Sequence, residues 1–366
     1  MIKKQKTMRF TTKNICPTAF ILASAIAFSS CEDWTEPESI DLIYSPSIEE
    51  QNPQLYADYL KDLNAYKKAE HNFTFVSFDN KTEAPSKQAE RISSLPDSID
   101  VISLNNPDNL NDVLVSEMEK VRKKGTKVIY KVDYAIAEVE WEKRIEEEGE
   151  DADRLTENDF LNLLKESTSK QLALCDKYGY DGLTIAYKGQ SDMGLNEKDK
   201  AIYKQRQSTY FDLINEWREG HAEKMIAFEG NLPYVYAENN GFLTTCEFLI
   251  LQSGACTNIG AIEIMGMTAY DAIPTEIANK DNIRFIATAE GIAPGDDKQK
   301  EGYFDTVDAN GKKIRSSKGI AEWMRKGGTS FNKGGMFITH AQYDYYNANH
   351  IYQNIREAIA IMNPLH

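Results

Sequence analysis

The chain has 366 residues, with 42 Lys and Arg against 57 Asp and Glu and a formal net charge of −15. Its content of 41% hydrophobic and 27% charged residues is that of a globular protein, which excludes a disordered chain, a collagen or a disulfide-stabilised scaffold. The acidic balance, with no basic cluster in the body of the chain, argues against a nucleic-acid-binding protein. The length fits two average domains or one α/β barrel with insertions.

The first thirty residues have the pattern of an export signal. A basic stretch at residues 3–13 precedes the apolar run Ala19–Phe28, which is too short to cross a membrane. Two serines then lead to Cys31, an order that resembles the bacterial lipobox, with Phe28 where leucine is usual. Residues 1–30 are therefore predicted to be a lipoprotein signal peptide, and Cys31 the lipidated first residue of the mature protein. An ordinary signal peptide with a chance cysteine is the alternative.

The next segment, residues 31–54, is polar and contains three prolines. This composition predicts a flexible tether between a membrane anchor and a folded domain over residues 55–366. The acidic pair Glu32-Asp33 directly after the cysteine resembles the surface-export signal of Bacteroidota lipoproteins. The resemblance implies a protein that is lipid-anchored to the outer membrane at the cell surface.

Eight short runs rich in β-branched and aromatic residues follow one another along the folded domain. They are nearly continuous in apolar character, which indicates strands that are covered on both faces. The predicted strands are Phe73–Phe78, Ile99–Leu104, Lys127–Val132, Gly182–Tyr187, Met225–Glu229, Glu247–Gln252, Ile283–Thr288 and Gly335–Thr339.

Segments with a helical period lie between these strands. The clearest are Asp108–Lys124, Thr156–Tyr178, Lys198–Arg218 and Asn349–Met362. Thr156 opens the second with a capping-box pattern, and Gly179 follows its last residue. Eight strand–helix units predict an α/β fold, a closed (β/α)₈ TIM barrel. A doubly wound open sheet would need a glycine-rich phosphate-binding turn after the first strand, and residues 78–81 do not supply one.

Two connections are long, and both follow strands: residues 133–154 after strand 3 and residues 291–317 after strand 7. The second contains Asn310-Gly311, the strongest hairpin signal in the chain. Asp305 and Asp308 lack the spacing and the closing glutamate of an EF-hand, so neither a metal site nor a cofactor is predicted. The expected fold is thus a barrel with long loops after strands 3 and 7, at the C-terminal face where barrels keep their sites.

Three cysteines lie in the folded domain: Cys175, Cys246 and Cys256. Their spacing fits neither a disulfide framework nor a metal site, which favours buried, inert thiols. A disulfide between Cys246 and Cys256 stays open in an exported protein.

At the fourth strand, residues 178–188 read YGYDGLTIAYK. This stretch resembles the D-G-x-D-x-D-x-E signature of glycoside hydrolase family 18, the chitinases and endo-β-N-acetylglucosaminidases. Asp181 and Gly182 match the signature. The later carboxylate positions depart from it, since they hold Thr184, Ala186 and Lys188. The resemblance in layout covers the whole predicted barrel.

The departures fall on the chemistry that the resemblance implies. In that family the glutamate protonates the leaving oxygen, and the aspartate two residues earlier orients and stabilises the substrate acetamide that acts as nucleophile. Lys188 stands at the acid position, and a free lysine side chain, with a pKa of about 10.4, is a poor acid at neutral pH. Ala186 at the second position cannot stabilise a developing charge. The resemblance therefore implies a family 18-like barrel that has lost catalysis.

The ends of the predicted strands supply aromatic and planar polar side chains, the groups that bind sugars. Residues 340–346, after the last strand, form the densest such cluster; they are interpreted as a glycan platform, or alternatively as a tyrosine-rich loop packed under the last helix. The candidate ligand-binding residues are Phe78, Asp79, Tyr187, Lys188, Gln190, Glu229, Asn231, Gln252, Glu290, Gln342, Tyr343, Asp344 and Tyr345.

Three hypotheses of function follow. The first is a non-catalytic surface lipoprotein that captures N-acetylglucosamine-containing oligosaccharides, such as N-glycans, beside an outer-membrane transporter; this ligand rests on the resemblance alone. The second is an active endo-β-N-acetylglucosaminidase-like hydrolase whose acid/base pair has moved to Glu229 and Glu290. The third is a structural subunit of a glycan-uptake complex that has no sugar site.

Overall fold

The computed structural model of the chain describes residues 47–295 and 301–364. The predicted signal peptide, Cys31 and the greater part of the predicted tether lie outside these ranges. In the described ranges, no helix combines the length and apolar character that a membrane span requires.

The chain divides into two compact units, residues 1–53 and residues 54–366. In the described part of the first unit lies a short helix, α1 (Ile48–Gln51). It begins with a reciprocal capping box between Ser47 and Glu50.

The second unit is a closed barrel of eight parallel strands, which confirms the predicted (β/α)₈ fold. Around the barrel the strands that begin at residues 73, 333, 284, 248, 225, 182, 127 and 101 are neighbours in that order. Each predicted strand agrees with the structure to within two residues at either end. The barrel strands are β1 (Phe73–Phe78), β2 (Val101–Leu104), β3 (Lys127–Asp133), β4 (Gly182–Tyr187), β5 (Met225–Gly230), β6 (Phe248–Leu251), β7 (Arg284–Ala289) and β10 (Lys333–Ile338).

Helices cover the outside of the barrel. The predicted capping box at Thr156 is present, and Gly179 ends the same helix in the left-handed region with φ 63°. The helices are α2 (Pro53–Lys68), α3 (Asp112–Lys123), α4 (Tyr134–Glu148), α5 (Glu157–Tyr178), α6 (Glu197–Glu219), α7 (Ile259–Ala272), α8 (Ser316–Met324) and α9 (Gln353–Met362).

The two long connections differ in structure. The connection after β3 is mostly helical rather than an open loop, since it holds α4 and a 3₁₀ helix at Gly149–Arg154. Trp141 of α4 packs edge-on against Phe160 with ring centroids 5.5 Å apart, which fixes α4 on α5. The connection after β7 contains the predicted hairpin, formed by β8 (Tyr303–Val307) and β9 (Lys313–Arg315).

Side chains alternate between the two sides of each barrel strand. Those that face the helices join the main core, and those that face the barrel axis form a plug of apolar side chains. At the N-terminal end the guanidinium of Arg284 lies over the rings of Phe73 and Phe248, 4.4 and 4.5 Å from their centroids. The plug consists of Phe75, Val101, Ile129, Met225, Ala227, Phe248, Ile250, Ile286 and Phe337. The inward positions nearer the C-terminal ends of the strands are left for polar residues.

Candidate functional site

A cavity of about 350 Å³ opens above the apolar plug, at the C-terminal ends of the strands. This is the end at which TIM barrels carry their sites. Its lining combines charged, amide and hydroxyl side chains with a single phenyl ring, that of Phe337. The lining residues are Ser77, Ser103, Asn105, Lys131, Glu229, Gln252, Gly254, Thr288, Glu290, Phe337, Thr339 and His340.

An ion pair crosses the inner face of β4. The ammonium of Lys131 on β3 lies 2.8 Å from Oε2 of Glu229 on β5. In the strand register Lys131 is opposite Thr184, and Ala186 is opposite Glu229, so β4 runs between the two partners. The pair can span this distance because Thr184 and Ala186 present only small side chains to the barrel axis. The lysine therefore lies beside the position at which the family signature has its second-last carboxylate.

A second polar cluster connects β1 to the turn after β10. The carboxylate of Asp79 lies 2.6 Å from Nδ1 of His340 and accepts hydrogen bonds from the amides of Asn105 and Gln342. Burial acts to raise the pKa of Asp79, but these hydrogen bonds outweigh it and hold the pKa below its usual value. The imidazole also stacks on the ring of Tyr343 at 5.1 Å between centroids. The ring of His340 is thus fixed from two sides.

The backbone at His340 is in the left-handed region, with φ 49°. A side chain with a Cβ adopts this conformation at a cost that the surrounding contacts must offset. One such contact is the hydrogen bond of 2.9 Å from the N–H of His340 to Oγ of Ser77. The turn therefore directs the imidazole to the wall of the cavity.

Glu290 extends β7 into the same cavity. Its Oε2 accepts a hydrogen bond of 2.8 Å from the hydroxyl of Thr339. A Cβ on Gly254 would lie 3.0 Å from that oxygen, so the absence of a side chain at the end of β6 leaves room for the carboxylate. Glu290 makes no ion pair with any residue in the described ranges.

The residues at the positions of the signature motif lie at different places along β4. Asp181 lies at the N-terminal end of β4, where its carboxylate accepts hydrogen bonds from Arg122 and from the N–H of Val128. Thr184 and Ala186 face the barrel axis and are buried. Lys188 is exposed after β4 and does not line the cavity.

Two candidate residues are placed wrongly by the sequence. Phe78 is fully buried in the core under the helices, and the side chain of Tyr187 is also buried there, with its hydroxyl accepting a hydrogen bond from Gln207. Burial raises the pKa of Tyr187. Both residues occupy the outward-facing positions of their strands, so neither reaches the mouth.

The candidates in the turn after β10 divide in the same way. Gln342 and Tyr343 hold Asp79 and His340, as described above. Asp344 instead accepts a hydrogen bond of 2.9 Å from the N–H of Ile355 and holds the start of α9; burial raises its pKa. Tyr345 packs against the main core and Tyr352. The predicted glycan platform is therefore partly the tyrosine-rich packing loop of the alternative.

The remaining candidates lie on the rim or on the cavity wall. Gln190 is exposed and donates to the hydroxyl of Tyr203, and the amide of Asn231 donates to the backbone carbonyl of Lys188 at 3.0 Å. Neither lines the cavity. Glu229, Gln252 and Glu290 do line it, and Asp79 reaches it through His340 and Asn105.

Several lining residues were not among the candidates. A period of two would have found most of them, because they stand two residues after a plug position on the same strand. Lys131 follows Ile129 of the plug in this way, and Thr288 follows Ile286. The lining residues outside the predicted set are Ser77, Ser103, Asn105, Lys131, Gly254, Thr288, Phe337 and Thr339, whereas His340 belongs to the predicted cluster of residues 340–346.

Within the described ranges, no group of three or more His, Cys, Asp or Glu side chains is arranged to hold a metal ion. Cys175, Cys246 and Cys256 are free thiols, and burial raises the pKa of each. The disulfide left open between Cys246 and Cys256 does not form in this structure.

Comparison with known proteins places the chain in a family. A solved structure of BT1044 matches with 18% identity and a TM-score of 0.58, over 87% of this chain and 96% of that one. A family 18 chitinase from Pseudoalteromonas aurantia matches with 12% identity and a TM-score of 0.48, over 79% of this chain and 99% of that one. A chitinase from Bacteroides thetaiotaomicron matches with 13% identity and a TM-score of 0.42, over 81% and 100%.

No curated protein sequence matches the chain. The family model described as glycoside hydrolase family 18, BT1044-like, matches residues 35–361, which include the whole barrel up to the last turn of α9. The chain belongs to glycoside hydrolase family 18.

Proposed function

We propose that this protein is a non-catalytic glycan-binding member of its family, which captures N-acetylglucosamine-containing oligosaccharides. The observation that carries the proposal is the state of the inner face of β4. The acid position holds Lys188, which is exposed outside the cavity, and the neighbouring position holds Ala186. The space beside Ala186 is crossed by the ion pair of Lys131 and Glu229. Neither proton donation to a leaving group nor support of an acetamide nucleophile is available at these positions.

The mouth nevertheless keeps the properties of a binding site. It is concave, it has a volume of about 350 Å³, and its polar groups converge from five strands and from the segments that follow β2, β6, β7 and β10. Gln252 is an exposed amide on the wall, and the network of Asp79, Asn105 and His340 is held in one geometry by hydrogen bonds. Fixed polar groups of this kind orient a sugar without requiring it to react.

We also propose that Cys31 is lipidated and anchors the protein to the outer membrane, where it delivers glycans to an outer-membrane transporter. The support is the order of basic residues, apolar run and small residues before this cysteine. Cells that express the Cys31→Ser variant should release the protein from the membrane fraction and fail to label it with fatty acid. Unchanged labelling would refute the anchor.

Calorimetric titration with N-glycans and chitooligosaccharides tests the function, followed by mass spectrometry of the same mixtures. We expect binding with every glycan left intact. Gln252→Ala should weaken binding about 5-fold, the equivalent of one hydrogen bond. Gln205→Ala is the matched control, because Gln205 is an exposed glutamine on α6. Cleavage products would refute the non-catalytic assignment and direct attention to Glu290; absence of binding would refute glycan capture.

A further inference from the structure

The charged groups of the mouth are unequally compensated. Four titratable side chains line it, Lys131, Glu229, Glu290 and His340, and a fifth, Asp79, contacts His340. The ammonium of Lys131 forms an ion pair with the carboxylate of Glu229 at 2.8 Å. The carboxylate of Asp79 receives hydrogen bonds from three side chains, including His340. The carboxylate of Glu290 receives only the hydroxyl of Thr339, on Oε2.

Oε1 of Glu290 accordingly has no hydrogen-bond donor in the described ranges. A carboxylate offers acceptor sites only, and this oxygen lies in the open cavity, where solvent reaches it. No cation of the described chain pairs with it, so a donor carried by a ligand can take the place of that solvent. A positively charged donor gains most here, because hydrogen bonds between ions are the stronger ones.

His340 offers a second open acceptor. A carboxylate can only accept, so the contact of Nδ1 with Asp79 at 2.6 Å places the ring proton on Nδ1. In the neutral imidazole Nε2 is then an acceptor, and it has no partner among the described residues. When the imidazole is neutral, the cavity wall combines open acceptors on Glu290 and His340 with a lysine whose charge is balanced by Glu229.

An acetamide group fits this wall poorly. It carries a methyl group, and Phe337 is the one apolar side chain among the lining residues. It also carries a carbonyl, and the one cation among the lining residues that would give it a charged donor, Lys131, already shares its charge with Glu229. A primary ammonium has three donors and no acceptor, which complements the open groups.

We infer that the mouth binds a free amino sugar: Glu290, with His340 beside it, receives the ammonium of a de-N-acetylated hexosamine within the captured glycan. The inference rests on the proposed function and narrows its ligand, because a partly deacetylated glycan presents this group among N-acetylated neighbours.

The test compares two tetrasaccharides of equal length by calorimetry on the purified chain. One is chitotetraose with all four nitrogens acetylated, and the other is its fully deacetylated form. We expect the deacetylated form to bind at least about 10-fold more tightly, as a hydrogen bond between charged groups allows. Glu290→Gln keeps the shape of the side chain and should remove this preference.

A cationic sugar is also attracted by an acidic surface, since the chain carries a net charge of −15. Glu216→Gln controls for this attraction, because Glu216 is an exposed residue of α6 that makes the same change in charge. Its preference should equal that of the wild type. Equal losses in both variants would assign the preference to diffuse charge and overturn the inference. Thermal melting of Glu290→Gln should match the wild type, which excludes misfolding.

The remaining outcomes separate the two proposals. Equal or tighter binding of the acetylated tetrasaccharide overturns the amino-sugar inference and leaves glycan capture supported. Failure of both tetrasaccharides and of the N-glycans to bind overturns glycan capture and the inference with it.

Discussion

At the start of β4, the carboxylate of Asp181 ties three segments together. It accepts hydrogen bonds of 2.9 Å from Nε of Arg122 on α3 and of 2.8 Å from the N–H of Val128 on β3. The same guanidinium donates to the carbonyl of Gly179, at the end of α5. The first aspartate of the signature thus fastens the N-terminal end of the strand, a structural task that does not depend on catalysis. Its presence in a chain without the catalytic carboxylates follows from that task.

Lys67 gives a pH dependence to stability. Its ammonium donates to the carbonyl of Ile99 and the hydroxyl of Thr126, both at 2.6 Å, at the N-terminal end of the barrel. Burial lowers its pKa from 10.5 to about 8. Between these two values the unfolded chain binds more protons than the folded chain. The contribution of Lys67 to the free energy of unfolding therefore rises with pH across this window, by at most about 3 kcal/mol, and is lost as the pH falls through 8.

Urea unfolding of the wild type and of Lys67→Met, at pH values below and within this window, measures the contribution. The hydroxyl of Thr126 still donates to the carbonyl of Ile99 at 2.8 Å in the variant, so that carbonyl keeps a partner. The difference between the two proteins should grow in favour of the wild type as the pH rises. A constant difference would show that the burial of Lys67 does not perturb its titration.

Whether catalysis can be recovered depends on the side chains on and beside β4. We expect the double variant Ala186→Asp with Lys188→Glu to stay inactive towards N-glycans and chitooligosaccharides. Lys131 crosses this face of the strand and would pair with the new carboxylate, which is then unavailable to an acetamide. The residue at position 188 follows the strand outside the cavity lining. Mass spectrometry of the incubated glycans measures the outcome, and release of a reducing-end product would contradict this account.

The strands also show how far a sequence pattern reaches. Their bounds could be predicted because strands covered on both faces are read as apolar runs. The side of the strand to which each side chain points was harder to predict, because a continuous apolar run hides the period of two. The sequence pattern therefore assigns Phe78 and Tyr187 wrongly to the mouth, whereas the inward-facing residues are their neighbours Ser77 and Ala186. Glu229 could be predicted because it stands at the C-terminal end of its strand.

The turn after β10 limited prediction for a different reason. His340 adopts the left-handed backbone region, which for residues other than glycine is uncommon and is not indicated by the residue type. Its conformation depends on contacts with Ser77 and Asp79, which lie more than 250 residues away in the sequence. Residues 340–346 could be predicted as part of the site from their composition, but the direction of the His340 imidazole could not be predicted from the local pattern.

In the barrel, the residues that stabilise the fold are separate from those that line the cavity. The apolar plug fills the interior between the polar cavity and the N-terminal end, where Arg284 covers two aromatic rings. Closure of eight strands could be predicted from the number of units, because a barrel leaves no unpaired edge. The composition of its two ends could not, since it depends on which inward position of each strand falls above the plug.

Because of this separation, Arg284→Met is expected to affect stability and not binding. Arg284→Met should lower the free energy of unfolding by about 1–2 kcal/mol, because it removes a partly buried cation from the faces of Phe73 and Phe248. Glycan affinity should stay within about 2-fold, since the plug lies between this residue and the cavity. Urea unfolding and calorimetry measure the two quantities. Arg325→Met is the control, because Arg325 is exposed after α8 and makes no ion pair with the described residues. A loss of glycan affinity of more than about 2-fold in Arg284→Met would show that the two ends of the barrel are coupled.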